Sequence, residues 1–362
     1  MTRGRLLLAL LSLAVLGSLL VPEITASARE QVARPTAAQL IGQKLVVSMD
    51  GTWPSKSLLA RARRGRIGGV LIHGYNFSSA ERLTAIAARL QQAAAAGGRP
   101  RLLIAVDQEG GPVKTVSWVP PTLSPAQMGA LGSSEKARRQ GRKTGAGLGS
   151  LGINTNFAPV ADVPVSSSSF MYRQGRTWSF SAKRTAHLSN AFAAGLADQH
   201  TLATMKHFPG LGFATRNTDL YVVRIGATKS RLASGLKPYR QAVAGGVPLV
   251  MLSNAVYDAY DRHHAAGWSR PIAYKLLRRG LGFRGVTITD SLDGAAHARG
   301  IATDPLAIKA ARAGTDLLLL TGSEAASRSV YSSLRDALSA GHLSESRLRA
   351  SYRRITALKS SL

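Results

Sequence analysis

Short apolar runs that end in polar residues alternate with longer amphipathic stretches along most of this chain. The runs are Lys44–Asp50, Gly69–Asn76, Leu102–Gln108, Asn154–Val163, Leu202–Pro209, Pro248–Tyr257, Gly285–Leu292 and Asp316–Gly322. They are rich in Val, Ile and Leu, the pattern of strands buried on both faces. Between them the period lengthens. Ala80–Ala96 places Leu83, Ile86, Ala87, Leu90 and Ala94 on one helical face, and Ser181–Gln199 spaces Leu188, Phe192 and Leu196 four apart. Helical stretches follow at Ser230–Gly245, Ser269–Gly282, Asp304–Gly314 and Ser323–Gly341. Several start at Ser or Asp and stop at Gly, the residues that cap helices.

Eight strand–helix units over roughly 320 residues predict an α/β protein, a closed (β/α)8 TIM barrel in a single domain. A doubly wound open sheet fits less well, because no glycine-rich dinucleotide loop follows the first strand. The barrel is expected over residues 37–362, preceded by a signal peptide at 1–28 and a linker at 29–36. Arg3 and Arg5 precede the apolar run Leu6–Leu20, which is short for a membrane span, and Ala26-Ser27-Ala28 has the small-residue pattern of a cleavage site. Cleavage after Ala28 and a secreted or cell-wall location are the expectation.

Composition narrows the class. A hydrophobic fraction of 45% with 36 Gly excludes a disordered chain. With 0 Cys there is no disulfide, no thiolate metal site and no lipid-bearing cysteine. The net charge is +28, and loss of Arg3, Arg5 and Glu23 with the leader leaves +27. Such a charge attracts polyanions. For an exported protein these are anionic wall polymers or a membrane surface. The basic residues scatter over many helices without a nucleic-acid motif, so no specific nucleic-acid partner is expected.

Chemistry concentrates where the runs end. In a barrel of parallel strands, polar residues at strand ends face one mouth. Here they are Asp50, His73, Asn76, Asp107, Glu109, Asp162, Lys206, His207, Asn254 and Asp290. The stretch from Lys206 to Asp219 stands out: an apolar strand opens at Lys206-His207 into a loop broken by Pro209, Gly210 and Gly212. The carboxylates lack metal-ligand spacing, and neither a metal nor an organic cofactor is expected. His263-His264 reads as a solvated pair. Paired carboxylates beside cationic donors suit sugar hydrolysis, one attacking the anomeric carbon while another group handles protons. Lys and His suit the binding of sugar hydroxyls.

Three segments together resemble family 3 glycoside hydrolases, most closely the single-domain β-N-acetylhexosaminidases of cell-wall recycling. They are Val106-Asp107-Gln108-Glu109-Gly110-Gly111, Lys206-His207-Phe208-Pro209-Gly210 and Gly282-Phe283-Arg284-Gly285-Val286-Thr287-Ile288-Thr289-Asp290. Gly68–Asn76 and Asn156–Val163 support them, and the similarity covers roughly residues 37–325 in order. The resemblance implies that Asp290 is the catalytic nucleophile. It also implies that Asp107, Lys206 and His207 bind the sugar, with Arg176 in Gly175-Arg176-Thr177-Trp178-Ser179 as a further substrate contact. A carbohydrate substrate containing N-acetylglucosamine follows from the same resemblance.

The sequence departs from that pattern in the loop after Lys206. Where the family's loop carries His-Gly and then Asp-Ser-His, this chain has Leu211 and Asn217-Thr218-Asp219. The position three after Pro112, where a second binding arginine is expected, holds Thr115. Three readings stay open: Asp219 is the acid/base, with its pKa raised by burial or by the nucleophile; another group in the mouth supplies the proton; or the barrel binds sugar without hydrolysing it. The length of the loop from Gly210 to Thr228 suggests a mobile lid.

Overall fold

The computed structural model describes residues 35–362 together with Met1. The expected signal peptide and most of the expected linker, residues 2–34, lie outside the described residues. Thr36–Leu362 forms one compact unit.

Eight parallel strands make the barrel: β1 Leu45–Ser48, β2 Gly69–Leu71, β3 Leu103–Val106, β4 Thr155–Asn156, β5 Leu202–Phe208, β6 Leu249–Leu252, β7 Val286–Thr289 and β8 Leu318–Leu320. Their order is β7-β6-β5-β4-β3-β2-β1-β8. The sheet closes where Leu317 bridges Ile288: the Thr289 amide donates to Leu317 O at 3.0 Å and the Leu317 amide to Thr287 O at 2.8 Å. The predicted (β/α)8 barrel is therefore the observed fold.

The apolar runs hide a period of two. Val46, Leu71, Leu103, Ala105, Met251, Ile288 and Leu319 pack with one another inside the barrel. Their neighbours Val47, Val70, Ile104 and Leu320 pack outward against one set of helices, and Val250 and Leu252 against another. Both faces are buried, which is why no polar alternation is visible in the sequence. At the strands' N-terminal end, Asp316 receives Arg278, Arg354 and Ser351, and Lys44 Nζ donates to Thr315 O and Asp316 O at 2.7 and 2.8 Å. This buried network seals the base, so the mouth is the opposite end.

Some elements differ from the sequence pattern. The run 154–163 yields only the two-residue strand β4 and an isolated bridge from Val160 to Lys206. Pro159 interrupts it, since proline has no amide to donate to the ladder. The stretch 230–245 divides into Lys229–Leu232, a 3-10 turn at Ser234–Leu236 and a helix at Lys237–Ala244, broken by Gly235 ahead of Pro238. The chain from Pro271 to Gly280 is a π-helix. Helix Ser134–Gly149, which carries no long apolar stripe, packs by backbone contact instead. A Cβ at Gly141 would stand 2.2 Å from Phe192 O, and one at Gly195 would stand 2.1 Å from Arg138 O.

Candidate active site

The strand ends and the loops after them enclose a cavity of about 330 Å³ at the mouth. Its floor is Leu71, Met251 and Leu319, the top of the barrel's inner layer. Asp107, Arg176, Lys206, His207, Asp219 and Asp290, the six residues to which the sequence assigns a role, line it together. Asp50 and Asn76 do not. Asn76 is a buried structural amide that donates to Met49 O and Gly51 O and accepts the His73 amide.

Lys206 and His207 are consecutive on β5 and yet both line the cavity. The register against β6 explains this. Met205 pairs with Val250 and Phe208 with Leu252, so three steps on β5 face two on β6. One extra residue in the strand re-aims a side chain that the pleat would otherwise turn away.

One side of the cavity is a chain of alternating charges. Lys206 Nζ lies 2.7 Å from Asp107 Oδ1 and 2.7 Å from Glu109 Oε1. Arg176 grips Glu109 with two parallel bonds, Nη2 to Oε1 at 2.7 Å and Nε to Oε2 at 2.9 Å. The Glu109 side chain is 0% exposed and that of Asp107 is 34% exposed. Asp107 is thus the member that a ligand can reach, and Glu109 is the counter-ion that holds both cations in place. Burial alone would push the Glu109 carboxyl up. The charges of Lys206 and Arg176 and their hydrogen bonds outweigh it and hold it down at about 2. Burial likewise opposes the charge on Lys206, and Asp107 and Glu109 overcome it, so its pKa lies above the ordinary lysine value.

His207 Nδ1 lies 2.8 Å from Asp162 Oδ2. An ionised carboxylate only accepts, so Nδ1 carries the proton and Nε2 is the ring nitrogen without a protein partner among the described residues. Asp162 Oδ1 also accepts the His207 and Leu211 amides at 3.2 and 2.7 Å. One buried carboxylate therefore fixes both the imidazole and the start of the long loop.

The other side holds Asp219 and Asp290. Asp290 follows β7, and its Oδ1 accepts the Ser291 amide at 2.8 Å. It is not the cap of the following helix, Leu292–His297; that cap is Ser291, whose hydroxyl accepts the Gly294 amide at 2.9 Å. Asp219 arrives on the long loop in a tight turn, its own amide donating to Asn217 Oδ1 at 2.9 Å. Its carboxyl sits over the first turn of helix Leu292–His297, where a Cβ at Gly294 would lie 2.6 Å from Asp219 Oδ1. Asn254, from the end of β6, donates to that oxygen at 3.3 Å and to Ser291 O at 2.8 Å. Burial first, and then the Asp290 charge, raise the Asp219 carboxyl to about 7, against smaller opposing effects of Asn254, His207 and Arg176. Arg216, three residues earlier, is not among the main causes of this shift. It is exposed and lies over the Tyr221 ring at 3.5 Å.

The two departures from the family pattern have structural consequences. Leu211 is buried among apolar side chains, lines the cavity without a polar side-chain group, and gives its amide to Asp162. Thr115 turns inward, its hydroxyl donating to Asp107 O at 2.9 Å and tying the 108–114 hairpin to β3. Sequence reasoning placed Glu109, Asp162 and Asn254 at strand ends and gave them no role, and it passed over Gly294. Their signal was present: a second carboxylate two residues after Asp107, a carboxylate ending the 154–163 run, and a glycine in a helix's first turn. Among the described residues no group of His, Asp and Glu is arranged to hold a metal ion.

Comparison with known proteins gives the lineage. The Glycosyl hydrolase family 3 N terminal domain matches residues 39–358. A protein of Arthroderma benhamiae named an uncharacterized secreted glycosyl hydrolase is 34% identical over 353 residues, covering 95% of this chain and 98% of its own. A β-hexosaminidase of Alkalilimnicola ehrlichii is 32% identical, covering 76% of this chain and 80% of its own. Among solved structures, a family 3 β-N-acetylglucosaminidase from Paenibacillus superposes with a TM-score of 0.86 at 29% identity over 90% of this chain, which spans 62% of that one. A β-N-acetylhexosaminidase from Beutenbergia cavernae gives 0.81 at 30% identity, covering 90% of this chain and 98% of that one. The chain belongs to glycosyl hydrolase family 3 and is a glycoside hydrolase similar to the β-N-acetylhexosaminidases of that family.

Proposed function

We propose that this protein is an exported, retaining exo-β-glycosidase that removes N-acetylglucosamine from cell-wall-derived glycans. Asp290 is the nucleophile: its carboxylate oxygen bonds to the anomeric carbon as the glycosidic bond to the leaving oxygen breaks. Asp219 gives its proton to that oxygen. In the second step it takes a proton from water, whose oxygen attacks the anomeric carbon and releases Asp290. Asp107, Lys206 and His207 bind the sugar hydroxyls, and Arg176 lines the same pocket while steadying Glu109. The observation that carries the proposal is the pairing of Asp219 with Asp290: one carboxyl that keeps its proton to near neutral pH, beside another, in the cavity that holds the sugar-gripping charges.

The N-terminal pattern of Arg3, Arg5, Leu6–Leu20 and Ala26-Ser27-Ala28 supports export, and the charge of +27 supports electrostatic retention at anionic wall polymers. A secreted form whose mass begins at Arg29 is the expected product. Turnover of a nitrophenyl β-N-acetylglucosaminide within a panel of aryl glycosides tests the activity. Asp290→Ala abolishes it, and full activity in that variant refutes the assignment. Affinity for the sugar without turnover of any glycoside makes the barrel a binding protein instead.

A further inference from the structure

The cavity is not the largest concavity on the molecule. A groove of about 910 Å³ runs between helices Lys56–Arg63 and Ala80–Ala95. The loops that leave these helices lead into β2 and β3. The groove therefore lies on the barrel's outer flank and ends beside the strands' N-terminal ends, away from the mouth. Its rim carries Lys56, Arg63, Arg64, Arg89 and Arg99 and no acidic residue, and Leu59, Ala60, Ala93 and Ala96 form its apolar part.

None of these five cations makes an ion pair among the described residues. Arg99 Nε is buried without a hydrogen-bond partner. Like charges crowded without a counter-charge repel, and a buried donor without an acceptor is costly. A second basic groove, of about 760 Å³, contrasts with it. There Arg262, His263, His264, Arg270, Lys309 and Arg312 share the wall with two carboxylates, Asp258, which pairs with Arg224, and Asp261, which lies against His264. Among the described residues the flank groove has no carboxylate in its wall.

We infer that the flank groove binds a linear polyanion, specifically a phosphodiester-linked polyol chain. Four of its five cations are arginines, whose planar forks match phosphate oxygens two at a time. Lys56 and Arg63 stand seven residues apart on one helix, about 10 Å along its axis, so a repeating anion meets several cations where a single phosphate meets one or two. The apolar part suits the C–H surface of a polyol. A concave wall suits a strand better than a planar bilayer, and the groove has no aromatic ring on which a nucleobase would stack. This inference rests on the groove's own cations and not on the glycosidase reading.

The test titrates the secreted chain with poly(glycerol phosphate) at several salt concentrations. Binding weakens with salt, with log affinity falling against log salt at a slope of roughly −3. The double reversal Arg63→Glu/Arg89→Glu lowers affinity at least about tenfold, and the neutral pair Arg63→Gln/Arg89→Gln lowers it in the same direction by less. The control Arg262→Glu/Arg312→Glu, with the same change in net charge, leaves it within about threefold. Melting temperature reports that each variant folds, and turnover of an aryl glycoside stays unchanged. Equal losses from both reversals would mean net charge without a site, and that overturns the proposal. So does tighter binding of single-stranded DNA, or binding to phosphatidylglycerol vesicles without binding to the free polymer. Failure of the glycosidase activity leaves this outcome readable, because the titration needs no turnover.

Discussion

The two halves of the cavity handle buried charge in opposite ways. In the gripping half the signs alternate, Arg176 to Glu109 to Lys206 to Asp107, and each buried charge touches its opposite. In the reactive half two carboxyls face one cavity, and among the described residues the one side-chain donor to Asp219 is an amide at 3.3 Å. Burial is present in both. Where attraction accompanies it, the carboxyl of Glu109 falls to about 2; where repulsion accompanies it, the carboxyl of Asp219 rises to about 7. The same residue chemistry thus gives a rigid platform on one side and, in the proposed reaction, a proton donor on the other. A site needs both, because a tense pair of carboxyls is useful only opposite something that fixes the sugar.

The largest change comes from removing the proposed proton donor. Asp219→Asn lowers kcat/KM, which reports the first step, by about 10²–10⁴-fold on substrates with poor leaving groups, and by much less on a nitrophenyl glycoside, which departs without protonation. In the wild type the proton is present below about pH 7, so kcat/KM falls as pH rises through that value. Stability moves with the same proton. The folded pKa lies above the unfolded one, so the native state holds the proton more tightly, and stability declines as pH rises from about 4 to about 7. Asparagine has no such decline. Relative to the wild type, Asp219→Asn gains on the order of 1–3 kcal/mol at pH 8 and little at pH 4 in urea titration. Equal differences at both pH values would show that the two halves do not differ in the way described.

Glu109→Gln breaks the other half. It leaves Lys206 and Arg176 buried with one counter-charge fewer, and a broken buried pair costs about 3–5 kcal/mol. Here the sign is reversed. The folded pKa of Glu109 is below its unfolded value, so its contribution is complete above about pH 4.5 and is lost as pH falls toward 2. The wild type therefore loses its advantage over Glu109→Gln in acid denaturation across that window. A variant as stable as the wild type at pH 7 would make the charge chain ornamental.

Much of this comparison is legible in the sequence, and the reasons are physical. Runs such as Leu102–Gln108 and Gly285–Leu292 announce strands because a barrel buries both faces, and they end in Asp107 and Asp290 because strand ends are where backbone gives way to loop. The partnerships are not legible. Glu109 and Arg176 are 67 positions apart, and only the closed sheet brings them to 2.7 Å. The bulge that turns both Lys206 and His207 inward is a matter of register with β6, which no local pattern records. Helix Ser134–Gly149 lacks the apolar stripe that marks a core-facing helix, because glycine-to-backbone contact replaces side-chain packing there.

Gly294→Ala probes the seat of Asp219 without touching its chemistry. The added methyl would stand 2.6 Å from Asp219 Oδ1, so the carboxyl must shift off the helix. Moved toward water, it loses part of the burial that raises its pKa, and the alkaline limb of the rate profile moves to lower pH. A misplaced acid lowers kcat about tenfold while KM, set mainly by the gripping half, stays within about twofold. A fall in kcat with an unmoved limb would indicate general damage to the fold.

Arg216→Ala is the smallest effect and the sharpest on locality. In the sequence, Arg216 is the cation nearest to Asp219 and the obvious candidate to lower its pKa. In the structure its guanidinium lies 3.5 Å from the Tyr221 ring centroid, on the exposed side of the loop. An exposed charge is screened by water and salt, whereas Asp290 acts on Asp219 within a buried cavity. The alkaline limb of Arg216→Ala therefore stays within about 0.2 pH units of the wild type, and kcat changes less than about twofold. A limb displaced upward by half a unit or more would mean that sequence neighbours set the proton donor's pKa, and that the contrast between the two halves is not the cause of it.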